Sequence, residues 1–179
     1  MLKRIYEWMA TKTDSRHEYF VRGKKYLEQY RPGAVYSSFK EIIERSGEIF
    51  IEAQKDPNLA EAEKCFLQAM VLSKAATRYD DVASALYQLG IVKMRQGNYE
   101  ESQKNFNEAI EIGSNIVKAS KHGLSIDCYY YMGMNAILHK LFGPAEEYLQ
   151  QSLNIAKMHG TRKDVTTIQE LLNYCNDID

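Results

Sequence analysis

The chain has 179 residues, 45% hydrophobic and 26% charged, which allows one domain or at most two small ones and is ordinary soluble globular composition rather than that of a disordered chain. Lys plus Arg number 23 against 24 Asp plus Glu, and the net charge of -1 leaves no electrostatic footprint for a nucleic-acid duplex or an anionic membrane. Three Pro and ten Gly are too few for an all-β chain that must turn about every ten residues.

The opening stretch, MLKRIYEWMATK, is interrupted by Arg4, Glu7 and Lys12 and lacks the apolar centre of a secretory signal. No apolar run approaches the roughly 18 residues of a membrane span, so no membrane partner and a cytoplasmic location are expected. Helices are expected near 3–11 and 15–30, the second capped by Asp14 and Ser15 with Glu18 and ended by Arg31-Pro32-Gly33. Residues 1–33 show no repeat and read as a small N-terminal helical cap. Further helices follow near 34–55, 58–76, 80–96, 99–118, 124–140, 144–158 and 162–176. Breaks at Asp56-Pro57-Asn58, Gly143-Pro144 and Gly160-Thr161 separate them. In the last helix Val165, Ile168, Leu171, Leu172 and Cys175 share one side.

A period runs through this series. The segment from Ala83 to Ser114 holds two amphipathic stretches around a Gly97-Asn98 turn, and steps of 40 residues back and 43 forward align six columns. Tyr99 falls on Leu59 and Phe142, Ser102 on Ala62 and Ala145, Phe106 on Phe66 and Leu149. Ala109 falls on Ala69 and Ser152, Ile110 on Met70 and Leu153, Ile112 on Leu72 and Ile155. The spacing is one stripe of an α-helix. Small residues let helices approach, the large residue between them fills the gap, and a hairpin with this stripe must stack on a neighbour to bury it. The first half of the unit is weaker. Leu86, Leu89 and Gly90 match Tyr129, Met132 and Gly133, whereas 40 residues back lie Ser46, Ile49 and Phe50, which break the pattern. A helical Gly costs around 1 kcal/mol against Ala, so two in register point to a close helix crossing.

These residues resemble the tetratricopeptide repeat. Leu86-x-x-Leu89-Gly90, Gly97-x-Tyr99, Ser102, Phe106 and Ala109 follow its signature in order and spacing. Tyr129-x-x-Met132-Gly133, Phe142, Ala145, Leu149 and Ser152 resemble a second copy, with Lys140 at the turn glycine's place. Leu59, Ala62, Phe66 and Ala69 match the second helix of an earlier, degenerate copy. The step of 40 to 43 exceeds the usual 34 and resembles the extended-helix variety of kinesin light chains and bacterial peptide-sensing regulators. The resemblance covers residues from about 40 to 176. It implies an all-α fold, an α-solenoid of stacked antiparallel helix hairpins in a right-handed superhelix. Residues 34–176 would form about three hairpins plus a C-terminal capping helix.

By the same resemblance, the first helix of each unit lines a concave face where ligands bind. That nominates Tyr87, Ile91, Met94 and Arg95 beside Ser84 from one helix, and Asp127, Tyr130, Met134 and Ile137 beside Leu138 from the next. Tyr87, Ile91 and Met94 are spaced i, i+4, i+7, as are Tyr130, Met134 and Ile137, so each set is one face. A Tyr- and Met-rich groove suits an amphipathic helix or an extended peptide, with Arg95 and Asp127 orienting polar groups. In the competing reading the capping helix or the N-terminal segment covers these rows. The expected function is a protein- or peptide-binding adaptor or scaffold. The alternatives are a peptide-sensing regulator, for which thirty-odd N-terminal residues are few for a helix-turn-helix part, and a structural protein self-associating into a homo-oligomer.

Other chemistries find little support. Repeats that clamp a chaperone's C-terminal carboxylate use Lys and Asn where this chain has Tyr87, Ile91, Tyr130 and Met134. Tyr129, Tyr130 and Tyr131 point about 100° apart and form no base-stacking platform, so no nucleic-acid partner is expected. Lys118, Lys121 and His122 read as solvated surface complementing a helix end. Cys65, Cys128 and Cys175 read as small buried hydrophobes in a reducing cytosol. They and His17, His122, His139 and His159 lack ligand spacing, so no metal or cofactor is expected. Glu61 and Glu63, Glu100-Glu101 and Glu146-Glu147 sit at helix starts, where carboxylates suit the dipole. No catalytic motif accompanies them, and the chain reads as no enzyme.

Overall fold

The computed structural model describes residues 2–30, 39–115, 121–159 and 162–177. Among these residues the chain forms nine helices and no strand. They are α1 (Leu2–Gln29), α2 (Phe39–Glu44), α3 (Ser46–Ala53), α4 (Pro57–Ala75), α5 (Tyr79–Arg95), α6 (Tyr99–Ser114), α7 (Lys121–Leu138), α8 (Phe142–His159) and α9 (Arg162–Asn176).

Local chemistry sets the boundaries. Asp56 Oδ1 accepts from the backbone N–H of Asn58 at 2.7 Å and of Leu59 at 3.3 Å. Pro57 opens α4 where its missing N–H costs nothing. Three turns close by one pattern, in which a residue of positive φ lets two N–H groups reach back to the helix. Arg78 N donates to Ser73 O at 2.9 Å and Thr77 N to Lys74 O at 3.0 Å. Asn98 N donates to Lys93 O at 2.9 Å, and Leu141 N to Ala136 O at 2.9 Å. The pivots are Thr77, Gly97 and Lys140, with φ of 53°, 74° and 60°. Gly97 adopts this without strain, whereas a β-branched Thr crowds its own carbonyl. Thr77→Gly is therefore expected to raise stability by about 1 kcal/mol. Urea denaturation measures the change, and a loss of stability would contradict this account of the turn.

The helices pair as hairpins: α1 along α4, α5 along α6, α7 along α8, with α4 on α5, α6 on α7 and α8 on α9 joining them into a solenoid. Phe66, Phe106 and Leu149 are wholly buried, as are the small residues around them, Ala62, Ser102, Ala145, Ala109 and Ser152. Ser102 Oγ donates to Gly90 O at 2.9 Å and Ser152 Oγ to Ile126 O at 2.9 Å, so the hydroxyls are satisfied inside the core. Each large residue lies on a glycine of the paired helix. A Cβ on Gly23, Gly90 or Gly133 would stand 2.8, 2.5 or 2.6 Å from Phe66, Phe106 or Leu149. Lys93 Nζ, 2.7 Å from Glu63 and 2.9 Å from Glu101, ties α4, α5 and α6 together.

The helix paired with α4 is thus α1, not one within 34–55. The column that needs a glycine holds Phe50 when counted 40 residues back from Gly90, and Gly23 meets the need instead. Phe20 meets Phe66 edge-on at 5.6 Å, much as Tyr87 meets Phe106 at 6.1 Å. The helices expected at 3–11 and 15–30 are one unbroken α1, because Asp14 and Ser15 are tolerated inside a helix that has no Pro and is held by α4 along its second half. The helix expected at 34–55 bends at Arg45 into α2 and α3. α8 begins at Phe142, placing Pro144 in its first turn, where a missing N–H forfeits no helical hydrogen bond. Ile168, Leu171, Leu172 and Cys175 bury the side of α9 expected for them. The three cysteines are buried, and none forms a disulfide among the described residues. Arg31-Pro32-Gly33, Lys118 and Gly160-Thr161 lie outside the described residues, as do the side chains of Lys121 and His122. Among the described residues no helix is long and apolar enough to cross a membrane, and no group of His, Cys, Asp or Glu could hold a metal ion.

Candidate functional site

The first helices of the hairpins form one layer, in which α1 touches α5 and α5 touches α7. Helices α2 and α3 and the turn after them lie against the C-terminal ends of that layer. Phe50 stacks on His139 with ring centroids 4.9 Å apart and packs onto Gly97, where a Cβ would stand 2.5 Å from its ring. Gln54 Nε2 donates to Gln96 O at 3.1 Å. Ala53 joins the buried cluster that holds Ile91, and Ile43 joins the one that holds Ile137.

Five of the eight nominated residues fall in this covered half. Ile91, Met94 and Ile137 are 6%, 8% and 0% exposed, so they are core side chains rather than groove wall. A local face pattern cannot show that an inserted segment will cover it. Met134 is half-buried against the second cluster. Arg95 Nη1 donates to Leu27 O at 2.7 Å, and its guanidinium stands 5.6 Å from the Tyr30 ring centroid, so it fastens the end of α1.

The remaining three, Tyr87, Asp127 and Tyr130, come together. With Tyr131, Thr167 and Ile168 they line a cavity of about 330 Å³ shared by α5, α7 and α9. Tyr130 meets Tyr131 edge-on at 5.3 Å, and Tyr131 meets Tyr87 at 5.9 Å. Burial pushes the Tyr87 phenol far above its ordinary range, and the Asp127 carboxylate adds to the shift. Burial raises Tyr130 as well. Both phenols are neutral donors, then, beside a carboxylate at the rim and aromatic walls. Such a pocket accepts an apolar or cationic group, which can meet the ring faces and Asp127 together.

Thr167 and Ile168 were missed by the sequence reading although a signal existed. Thr167 follows Asp127 by the same 40-residue step that carries Met132 to Leu172.

His139 marks the covered half chemically. It lies between Phe50 and Tyr99, 5.2 Å from the latter's ring, and its Nε2 is buried with no partner among the described residues. Burial lowers its pKa. The unfolded chain then binds a proton more readily than the folded one, so stability is full above the ordinary imidazole range and falls as pH drops through it. Urea denaturation between pH 8 and 5 is expected to show this decline, reduced in His139→Gln; equal slopes in both proteins would contradict it.

Stacked hairpins built on a shared contact between a helical Gly and a large apolar residue define an α-solenoid repeat protein. The family described as tetratricopeptide repeat matches residues 51–112 and 81–158, which together span more than half of the chain. The chain belongs to that family, whose repeats mediate protein–protein interaction and scaffolding. No curated protein matches it.

Proposed function

We propose that the protein is a non-catalytic adaptor that binds a peptide segment of a partner in the open half of its first-helix layer. The observation that carries this reading is the cavity to which three successive first helices contribute, with Tyr87 from α5, Asp127 and Tyr130 from α7 and Thr167 from α9 on its wall. Burial of an apolar or basic partner side chain against the tyrosines supplies affinity, and Asp127 selects its charge. The 43-residue step from Gly90 to Gly133 supports the extended repeat variety, and three buried cysteines that form no disulfide among the described residues support a cytoplasmic location.

Asp127→Arg and Thr167→Arg, both at exposed positions, are expected to abolish partner capture while leaving the thermal midpoint nearly unchanged. Affinity purification from native cytosol with quantitative mass spectrometry compares the wild type with each variant. Partners retained by both would refute the pocket assignment. A mass that rises with concentration in light scattering would instead favour self-association.

A further inference from the structure

A second cavity, about 500 Å³, opens where α1, α4 and α5 meet. Arg16 from α1, Ser73 from α4 and Arg78 and Asp81 at the start of α5 line it, beside Phe20 and Ala69. Arg16 is only 7% exposed, and its Nε stands 3.2 Å from Asp81 Oδ2. Arg78 Nε approaches the same oxygen at 3.7 Å. Ser73 is 1% exposed, and its hydroxyl has no hydrogen-bond partner among the described residues.

Two guanidiniums facing one carboxylate leave a positive charge, and a buried hydroxyl without a partner is an unfavourable state. One anion resolves both, accepting from the guanidiniums and from Ser73. A monoanion balances the charge, whereas a dianionic phosphate overshoots it. Phe20 and Ala69 give an apolar body somewhere to rest. Ser84 lines this cavity and Tyr87, one helical turn on, lines the tyrosine cavity, so the two are neighbours along α5. We propose that this cavity is a carboxylate-binding subsite of the same groove. Resting on the groove reading, it assigns the partner segment an acidic group beside the residue held by the tyrosines.

The test titrates the whole protein with phenylacetate and, in parallel, with neutral phenylacetamide, followed by amide chemical shifts. Phenylacetate is expected to give saturable shifts around Ser73, Arg78 and Ser84, and phenylacetamide none. Arg78→Gln is expected to weaken binding roughly tenfold, through the loss of a charge-assisted contact. Asp81→Asn, which removes the competing carboxylate, is expected to strengthen it. Ser73→Ala separates ligation from folding: stability should rise as the orphaned hydroxyl goes, while phenylacetate binding falls. No saturable response, equal responses to both compounds, or unchanged affinity in Arg78→Gln would overturn the proposal. The probe carries no peptide, so a failure here is distinct from a failure of the Asp127 and Thr167 variants to lose partners.

Discussion

Phe106→Ala is expected to lower unfolding free energy by about 3–5 kcal/mol, the range for removing a wholly buried aromatic ring. The ring fills the gap over Gly90, lies 6.1 Å from Tyr87 and stacks on Tyr131 at 6.3 Å, so it serves its own hairpin and the next. Because each hairpin is stable only against its neighbours, a weakened central contact should lower the whole transition rather than split off one pair of helices. Urea denaturation followed by far-UV circular dichroism reads the change. A loss below about 1 kcal/mol would mean that the ring is not the filler the packing requires.

The second large effect is one of sign. Ala is a better helix former than Gly by about 1 kcal/mol, so Gly→Ala on an open helix face stabilises. Gly47, with nothing within 4 Å of an added Cβ, should gain by about that amount. Gly90→Ala should instead lose about 1–2 kcal/mol, because overpacking against Phe106 outweighs propensity. Gly23→Ala should lose as much, since its Cβ would press into Phe66. If α1 were a loosely attached cap, Gly23→Ala would behave like Gly47→Ala. Denaturation of the three variants under one condition separates these outcomes. Trimming Phe106 to Leu in the Gly90→Ala background should recover part of the loss, a coupling of about 0.5–3 kcal/mol.

The second helices were legible because their small-large-small columns are imposed by the neighbouring helix at fixed spacing, and spacing survives in one dimension. Ala62, Phe66, Ser102, Phe106, Ala145 and Leu149 all took the places their columns required. Gly23 was not legible because the segment holding α2 and α3 displaces it from the period, and an interrupted period leaves no column to follow. The eight nominated residues divide between a cavity and the core. Tyr87, Asp127 and Tyr130 meet at a cavity, as their register implies, while Ile91, Met94 and Ile137 lie in the core. Nothing local distinguishes an apolar face awaiting a partner from one that the chain covers itself. Arg95 teaches the same lesson for charge, since its acceptor, Leu27 O, lies 68 residues away in sequence.

A photo-reactive residue placed in turn at Thr167 and at Ile51, followed by cross-linking in native cytosol, bears most directly on how the layer is divided. Thr167 adjoins the tyrosine cavity, and Ile51, 58% exposed, tops the covering segment. Partners joined through Thr167 and absent from Ile51 are the expected result. Partners joined equally well through Ile51, or through it alone, would show that recognition happens elsewhere.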